Sequence, residues 1–347
     1  MRPNTLMRII EREIASAACD HAPIMIWGPP GVGKSCIIAA ATAGAGIGLV
    51  DVRLAQMEPT DLRGIPFRDG RNVVWAIPAL LPDRERHGER GVLFLDEITS
   101  AVPTVTAAAY QLILDRRLGE YCVPAGWLIF AAGNRHGDRG VTYAMPAPLA
   151  NRFVHYEIEP DIDDWAAWAF EADIDPRLIA FVRFRPDLLF QFDPERQSAA
   201  FPSPRTWEYA DRALKKFHDL PELLRESIKG SIGANAAAAF AAYLQHVDVL
   251  PDPGRVLAGE PVTIPPTVEL EYAFATSLAR HVARLGHDEQ KSVLGIGLTI
   301  ARRFKHREIG VMLVTDLHRV IGRPFYDVPE FTEWAAEVGD LNSFARD

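Results

Sequence analysis

Cysteine is scarce. Cys19, Cys36 and Cys122 are the three in 347 residues, and no two form a CxxC pair. That excludes a disulfide framework and a zinc knuckle, and it points to a reducing compartment, the cytoplasm. The ten histidines show no HExxH or other paired ligand spacing, so a histidine-held metal centre is not expected. Long apolar runs are missing as well. The least polar stretch, Cys36 to Val50, carries three glycines and is too short to cross a bilayer. From Met1 to Glu13 the residues Arg2, Arg8, Glu11, Arg12 and Glu13 interrupt the apolar positions, which breaks any signal-peptide core, and no membrane association is expected. Positive charge is in deficit, 37 basic against 46 acidic side chains for a net charge of -9. A general nucleic-acid or anionic-lipid binder is disfavoured, although a local basic patch stays open. No internal repeat is visible. What is present, 48% hydrophobic and 24% charged residues, is an ordinary globular composition in a chain long enough for about two domains.

Apolar segments and helical stretches alternate in the first half. PIMIW (Pro23 to Trp27) reads as a strand, followed by a glycine-rich turn and a helical run, SCIIAAATA. GLVDVRL (Gly48 to Leu54), GVLFLD (Gly91 to Asp96), GWLIFAAGN (Gly126 to Asn134) and VHYEIE (Val154 to Glu159) read as further strands. Near-continuous apolar runs of this length, spaced to allow helices between them, suit a parallel sheet covered on both faces. From about Asp161 the chain turns helical, and no strong strand signal returns. The expected class is α/β: a P-loop NTPase sheet core with an α-helical lid and additional C-terminal helices. The boundaries fall at residues 1–160 for the core, 161–250 for the lid and 251–347 for a further helical region. The proline-punctuated segment Leu250 to Pro266 is expected to be neither helix nor inner strand.

Two motifs carry chemistry. Gly28-Pro29-Pro30-Gly31-Val32-Gly33-Lys34-Ser35 fits G-x-x-x-x-G-K-[ST] and stands between an apolar strand and a helix, where a phosphate loop belongs. Polyphosphate needs many donors at close range. The glycines let backbone N–H groups turn inward, and the helix running from Lys34 through Ser35 and Cys36 aims its positive end at the anion. Lys34 would reach the β- and γ-phosphates of ATP, and Ser35 would coordinate Mg²⁺. GVLFLDE then ends an apolar strand in two carboxylates. This puts Asp96, for the Mg²⁺ shell, and Glu97, for the attacking water, at the carboxyl edge of the sheet. A chance glycine turn and a pair of helix-capping acids are the bland alternatives, and the two motifs in one chain weigh against both.

Together with the MEPTDLRG segment (Met57 to Gly64), AAGN (Ala131 to Asn134), MPAPLANRF (Met145 to Phe153) and SPRTW (Ser203 to Trp207), these motifs resemble the AAA+ ATPases and, within them, the MoxR family. The matches follow family order over about the first 210 residues. The resemblance implies Asn134 as the sensor-1 residue, Arg152 as an arginine finger offered to a neighbouring subunit and Arg205 as the sensor-2 arginine of the lid. It also implies a homo-oligomeric ring, a hexamer. The ring would work as a chaperone-like remodeller of a protein client, such as one carrying a von Willebrand factor A domain. Two positions depart from the family pattern: Arg135 stands where a proline is usual after the sensor asparagine, and Asn151 where an acid is usual before the finger. A nucleic-acid motor or loader is the alternative, kept open by Arg63, Arg68 and Arg71.

Two inserts read as hairpins. Ile65 to Pro82 turns at Arg68-Asp69-Gly70 and resembles the helix-2 insert of MoxR-type proteins, and Arg117 to Trp127 takes the place of the pre-sensor-1 insert. Phe67, Trp75 and Tyr121 are candidate client-touching aromatics, against the alternative that they pack across strands. Gly44, Gly46 and Gly48 are assigned to a helix C-cap and turn rather than to a nucleotide site. His136 is read as a loop residue.

Overall fold

The computed structural model describes residues 1–17, 20–135, 137–138, 143–193, 198–247 and 250–338. Cys19, His136 and part of the loop after Asn134 lie outside the described residues. The chain divides into two compact units, one of Met1–Asp161 and one built from Ile162–Phe192 and the described residues from Ser198 onward.

The first unit runs α1 (Pro3–Ala15), β1 (Ile24–Trp27), α2 (Lys34–Ala45), β2 (Gly48–Arg53), α3 (Pro59–Arg63), β3 (Ile65–Asp69), β4 (Asn72–Ala76), α4 (Arg84–His87), β5 (Gly91–Asp96), α5 (Pro103–Asp115), β6 (Arg117–Leu118), β7 (Tyr121–Cys122), β8 (Trp127–Gly133), α6 (Ala147–Ala150) and β9 (Val154–Glu157). All five strands expected for the central sheet form, in the order β2-β5-β8-β1-β9 and all parallel. Alternate side chains of each inner strand enter opposite cores. Val92 and Phe94 of β5 join Leu128 and Phe130 of β8 and the α1 residues Leu6, Ile10 and Ile14. Leu93 and Leu95 join Ile129 and the α5 residues Val105, Ala109 and Leu112. Burial on both faces is why these strands read as unbroken apolar runs. The helix after the phosphate loop ends where expected: Gly46 takes a left-handed conformation (φ 63°), and its N–H donates to the Ala43 and Thr42 carbonyls.

The second unit is helical: α7 (Ile162–Glu171), α8 (Pro176–Phe184), α9 (Pro204–Lys216), α10 (Pro221–Ile232), α11 (Ala234–Val247), α12 (Pro253–Leu257), α13 (Val268–Arg284), α14 (His287–Ala301), α15 (Arg307–Ile321) and α16 (Pro329–Val338). One apolar core runs through it from Trp165 to Trp334. The proline-rich segment departs from expectation, because it contains α12. Pro253 sits in the first turn, where no intrahelical N–H bond is lost, and the Asp252 side chain accepts from the Arg255 N–H as a cap. Among the described residues no helix is long and apolar enough to cross a membrane.

Candidate functional site

Strand order positions the site. The chain leaves β1, crosses to the far edge at β2 and works back through β5 and β8 before β9 closes the other side. The carboxyl ends of the strands thus gather the glycine loop after Trp27, the acids ending β5 and the Asn134 that follows β8. A parallel sheet offers its ligand crevice along this edge.

The loop is shaped by two glycine requirements. Gly33 caps α2 with φ 105°, a left-handed backbone that side-chain-bearing residues avoid. Gly28 lies so close to the chain following β9 that a Cβ would stand 2.6 Å from Ile158 Cγ2. The Lys34 ammonium is buried and donates to the carbonyls of Gly28 (2.7 Å) and Pro29 (3.1 Å) and to Asn134 Oδ1 (3.1 Å). Ser35 Oγ donates to Asp96 Oδ2 at 2.7 Å. Lys34, Ser35, Asp96 and Asn134, singled out separately in sequence, therefore meet in one place.

Glu97 is the strained member. Its φ is 56°, uncommon for a residue with a side chain, and its N–H donates to Asp96 Oδ1 at 2.8 Å. The kink turns an exposed carboxylate away from buried Asp96, so two adjacent acids face different surroundings. Strain of this kind costs about 1–3 kcal/mol and collects at functional sites. We expect Glu97→Gly to melt above Glu97→Ala by about 1 kcal/mol of unfolding free energy, because glycine relieves the left-handed backbone. Both variants should be inactive. Equal stabilities in denaturant titrations would remove strain from this account.

Two contributions escaped sequence reasoning, and a third was visible only as a departure from the family pattern. Thr99 Oγ1 accepts from the Asn134 N–H (3.1 Å) and donates to the Asn134 carbonyl (3.4 Å), tying the turn after β5 to the end of β8. Asp51 of β2 lies in register with Phe94, and Arg53 with Asp96. Burial, followed by the Asp96 charge, raises the Asp51 carboxyl above its ordinary value. Period-two alternation in GLVDVRL could have flagged Asp51. Nothing local marks Thr99 as a partner for a residue 35 positions away. The third is Arg135, whose side chain pairs with Asp138 Oδ2 at 3.2 Å and with Glu157 Oε1 at 2.5 Å. The Glu157 hydrogen bond raises its already high pKa further.

Arg152 is exposed and stands just before β9, whose first residue Val154 is in register with Ile24, the first residue of β1. It therefore lies at the amino edge of the sheet, away from its own phosphate loop at the carboxyl edge. Arg205 lies in the first turn of α9 in the second unit and is exposed. Ser203 caps that helix, with its Oγ accepting from the Thr206 N–H. A cation in a first turn opposes the helix dipole.

The inserts differ from each other. In the first, β3 and β4 form an antiparallel ribbon with Phe67 opposite Val74 and Pro66 opposite Trp75. Phe67 (53%) and Trp75 (38%) are both exposed, and register puts them on opposite faces. Neither ring joins the apolar cores on the two faces of the central sheet. The second hairpin, β6–β7, corrects the reading of Tyr121: its ring is buried in the sheet core and its hydroxyl donates to the Pro82 carbonyl at 2.8 Å. Burial pushes that hydroxyl's pKa up.

The donor set suits Mg²⁺. Ser35 and Asp96 converge as hard oxygen donors, and among the described residues no group of three His, Cys, Asp or Glu side chains forms a cage. One hydroxyl and one carboxylate, completed by phosphate oxygens and water, is how Mg²⁺ sits in phosphoryl-transfer sites.

Residues 24–140 match the ATPase family associated with various cellular activities (AAA). These residues carry an AAA ATPase domain, and the parallel sheet with its helices is the AAA+ P-loop NTPase fold, extended by further C-terminal helices. Among named proteins it is similar to Protein NorQ of Paracoccus denitrificans, at 27% identity over 151 residues covering 42% of this chain and 55% of NorQ. It is also similar to midasin of Giardia intestinalis, at 28% over 154 residues covering 42% of this chain and 3% of midasin. The match thus spans about half of NorQ and a small part of midasin. Among solved structures, NtrX of Brucella abortus in complex with ADP covers 98% of this chain and 66% of its own at 18% identity, with a TM-score of 0.35.

Proposed function

We propose that this protein is a MoxR-like AAA+ ATPase that hydrolyses ATP with Mg²⁺ in a homo-oligomeric ring, a hexamer, and uses the cycle to remodel a client protein in the cytoplasm. The observation carrying this reading is the convergence of Lys34, Ser35, Asp96 and Asn134 at one sheet edge, with the strained Glu97 beside them. Gly28 through Ser35, followed by Cys36, cradle the phosphates with backbone N–H groups. Lys34 exchanges its carbonyl partners for β- and γ-phosphate oxygens. Glu97 orients the attacking water and takes its proton, while Asn134 holds the water or the γ-phosphate. Mg²⁺ supplies charge neutralisation of the phosphates, held by Ser35 and Asp96. Arg152, too far round the sheet to serve its own site, acts on the neighbour's. Arg205 adds a second guanidinium, a role that explains an exposed cation placed against its helix dipole.

The first insert supports a protein client over nucleic acid. Ile65, Phe67, Val73 and Ile77 are more than half exposed, whereas Arg68 is turned onto its own hairpin through the Gly70 carbonyl. A nucleic-acid contact would depend on salt and on free basic groups; an apolar ribbon would not. The resemblance to MoxR proteins makes a von Willebrand factor A domain the first client to try. Phe67→Ala combined with Trp75→Ala should leave melting temperature and basal ATP turnover near wild type, because neither ring fills a core, and should abolish client capture and client-stimulated turnover. Loss of a few kcal/mol of stability, the cost of truncating packed aromatics, would return both rings to a structural role. DNA-stimulated, salt-sensitive turnover that these changes leave intact would favour the motor.

A further inference from the structure

We propose that Arg135 is the positioning residue for Asn134, an ion-pair clamp that sets where the end of β8 stands relative to the phosphate loop. The inference rests on the reading of Asn134 as the group that touches the γ-phosphate or its attacking water. Asn134 is the first residue beyond β8, where ladder bonds no longer hold the chain, yet its side chain must be placed to within a fraction of an ångström to act. On one side it is tied to Thr99 through both its N–H and its carbonyl. On the other, besides the Lys34 ammonium that donates to its Oδ1, the ties among the described residues are made by the next residue. The Arg135 N–H and Nε both donate to Asp138 Oδ2, at 2.9 and 3.2 Å, and the Asp138 N–H returns to the Arg135 carbonyl at 3.0 Å. The guanidinium then reaches Glu157 Oε1 at 2.5 Å, with Glu159 Oε1 at 3.9 Å.

The register shows what this spans. Trp27, the last residue of β1, pairs with Gly133 on one side and with Glu157 on the other. Arg135 therefore bridges the ends of β8 and β9 across the exit of β1, where the phosphate loop begins. Two inter-strand spacings amount to about 10 Å, a gap that a long side chain projecting from one end and a carboxylate from the other can close. Water competes only partly with the clamp, because the Asp138 side chain is 10% exposed while that of Glu157 is 55% exposed. The inner contact therefore resists salt better than the outer one. A planar guanidinium can serve both carboxylates at once, which a lysine ammonium does with poorer geometry.

The test compares Arg135→Gln, Arg135→Lys, Glu157→Gln, Asn134→Ala and the double Asn134→Ala/Arg135→Gln in the full chain, reading kcat, KM and melting temperature. We expect Arg135→Gln to lower kcat about 10-fold while KM for ATP stays within about 2-fold, the pattern of a misplaced group that acts in the transition state. Arg135→Lys should recover part of the loss, and Glu157→Gln should show a smaller loss of the same kind. The double variant should be no slower than Asn134→Ala alone, because a residue acting through another adds nothing once its target is gone. Multiplying losses in the double variant would overturn the clamp. So would wild-type kcat in Arg135→Gln, or in Glu157→Gln should Arg135→Gln fail to fold, provided Asn134→Ala is slow. If Asn134→Ala itself turns over at the wild-type rate, the site reading beneath the proposal fails instead.

Discussion

Lys34→Ala should abolish nucleotide binding, and Glu97→Gln should preserve binding while stopping turnover. In the proposed site the lysine meets ground-state phosphates, so its removal is felt in affinity. Each charge-assisted hydrogen bond lost is worth about 1.5–3 kcal/mol, and two of them amount to a weakening of at least about 10²-fold. The truncation also leaves the Gly28 and Pro29 carbonyls without their ammonium, which loosens the loop that must receive the anion. Glu97 is proposed to act on water instead of phosphate, and an amide of the same shape cannot take a proton. Turnover should fall by about 10²–10⁴-fold, the range for a lost general base. Titration calorimetry with ATP and a steady-state ATPase assay separate the two. Equal ATP affinity in wild type and Lys34→Ala would sink the assignment of the loop.

Arg152→Ala should still bind ATP and lose on the order of 10³ in rate, the lower end for a missing arginine finger. The placement of Arg152 beside the start of β9, in register with the start of β1, leaves it no path to its own phosphates, so the wild-type rate per subunit should climb steeply with protein concentration as rings assemble. Mixing Arg152→Ala with Glu97→Gln subunits gives a sharper reading. Each variant is silent alone, but a mixed ring contains interfaces with an intact Glu97 on one side and an intact Arg152 on the other, and some activity should return. Full activity from a verified monomer would remove both the finger and the ring.

Much of the chemistry was legible because it is local. The phosphate loop is eight consecutive residues, and its setting between an apolar strand and a helix is visible within about twenty more. Asp96 and Glu97 close an apolar run whose end is also the strand's end. Side chains of β5 and β8 enter two cores alternately, so their runs could be read as doubly buried strands without knowing their neighbours. Gly46 follows a helical run and precedes an apolar strand, a place that suits a helix end, and its left-handed φ agrees.

The aromatics of the two hairpins show where such reading stops. Phe67, Trp75 and Tyr121 stand in similar strand-turn-strand contexts, yet Tyr121 is buried and bonded to Pro82 while the other two are exposed. A hairpin's sequence states which residues alternate, not which face meets a core, and that depends on how its base is anchored. The proline-rich segment holds a helix that its composition conceals, since proline in a first turn costs a helix nothing.

By itself the sequence determined the nucleotide-binding motif, the strand-helix alternation and the helical second half, because propensity, periodicity and motif spacing act over a few residues. Only the tertiary structure decided that β1 lies between β8 and β9, that Thr99 and Arg135 hold Asn134 from two sides, and that Arg152 stands at the far edge of the sheet. Those outcomes depend on strand order and register, which bring together residues 22 to 35 positions apart in the Asn134 clamp and more than a hundred apart across β1 and β9. They come from packing two apolar faces at once, a condition that no single stretch of the chain contains.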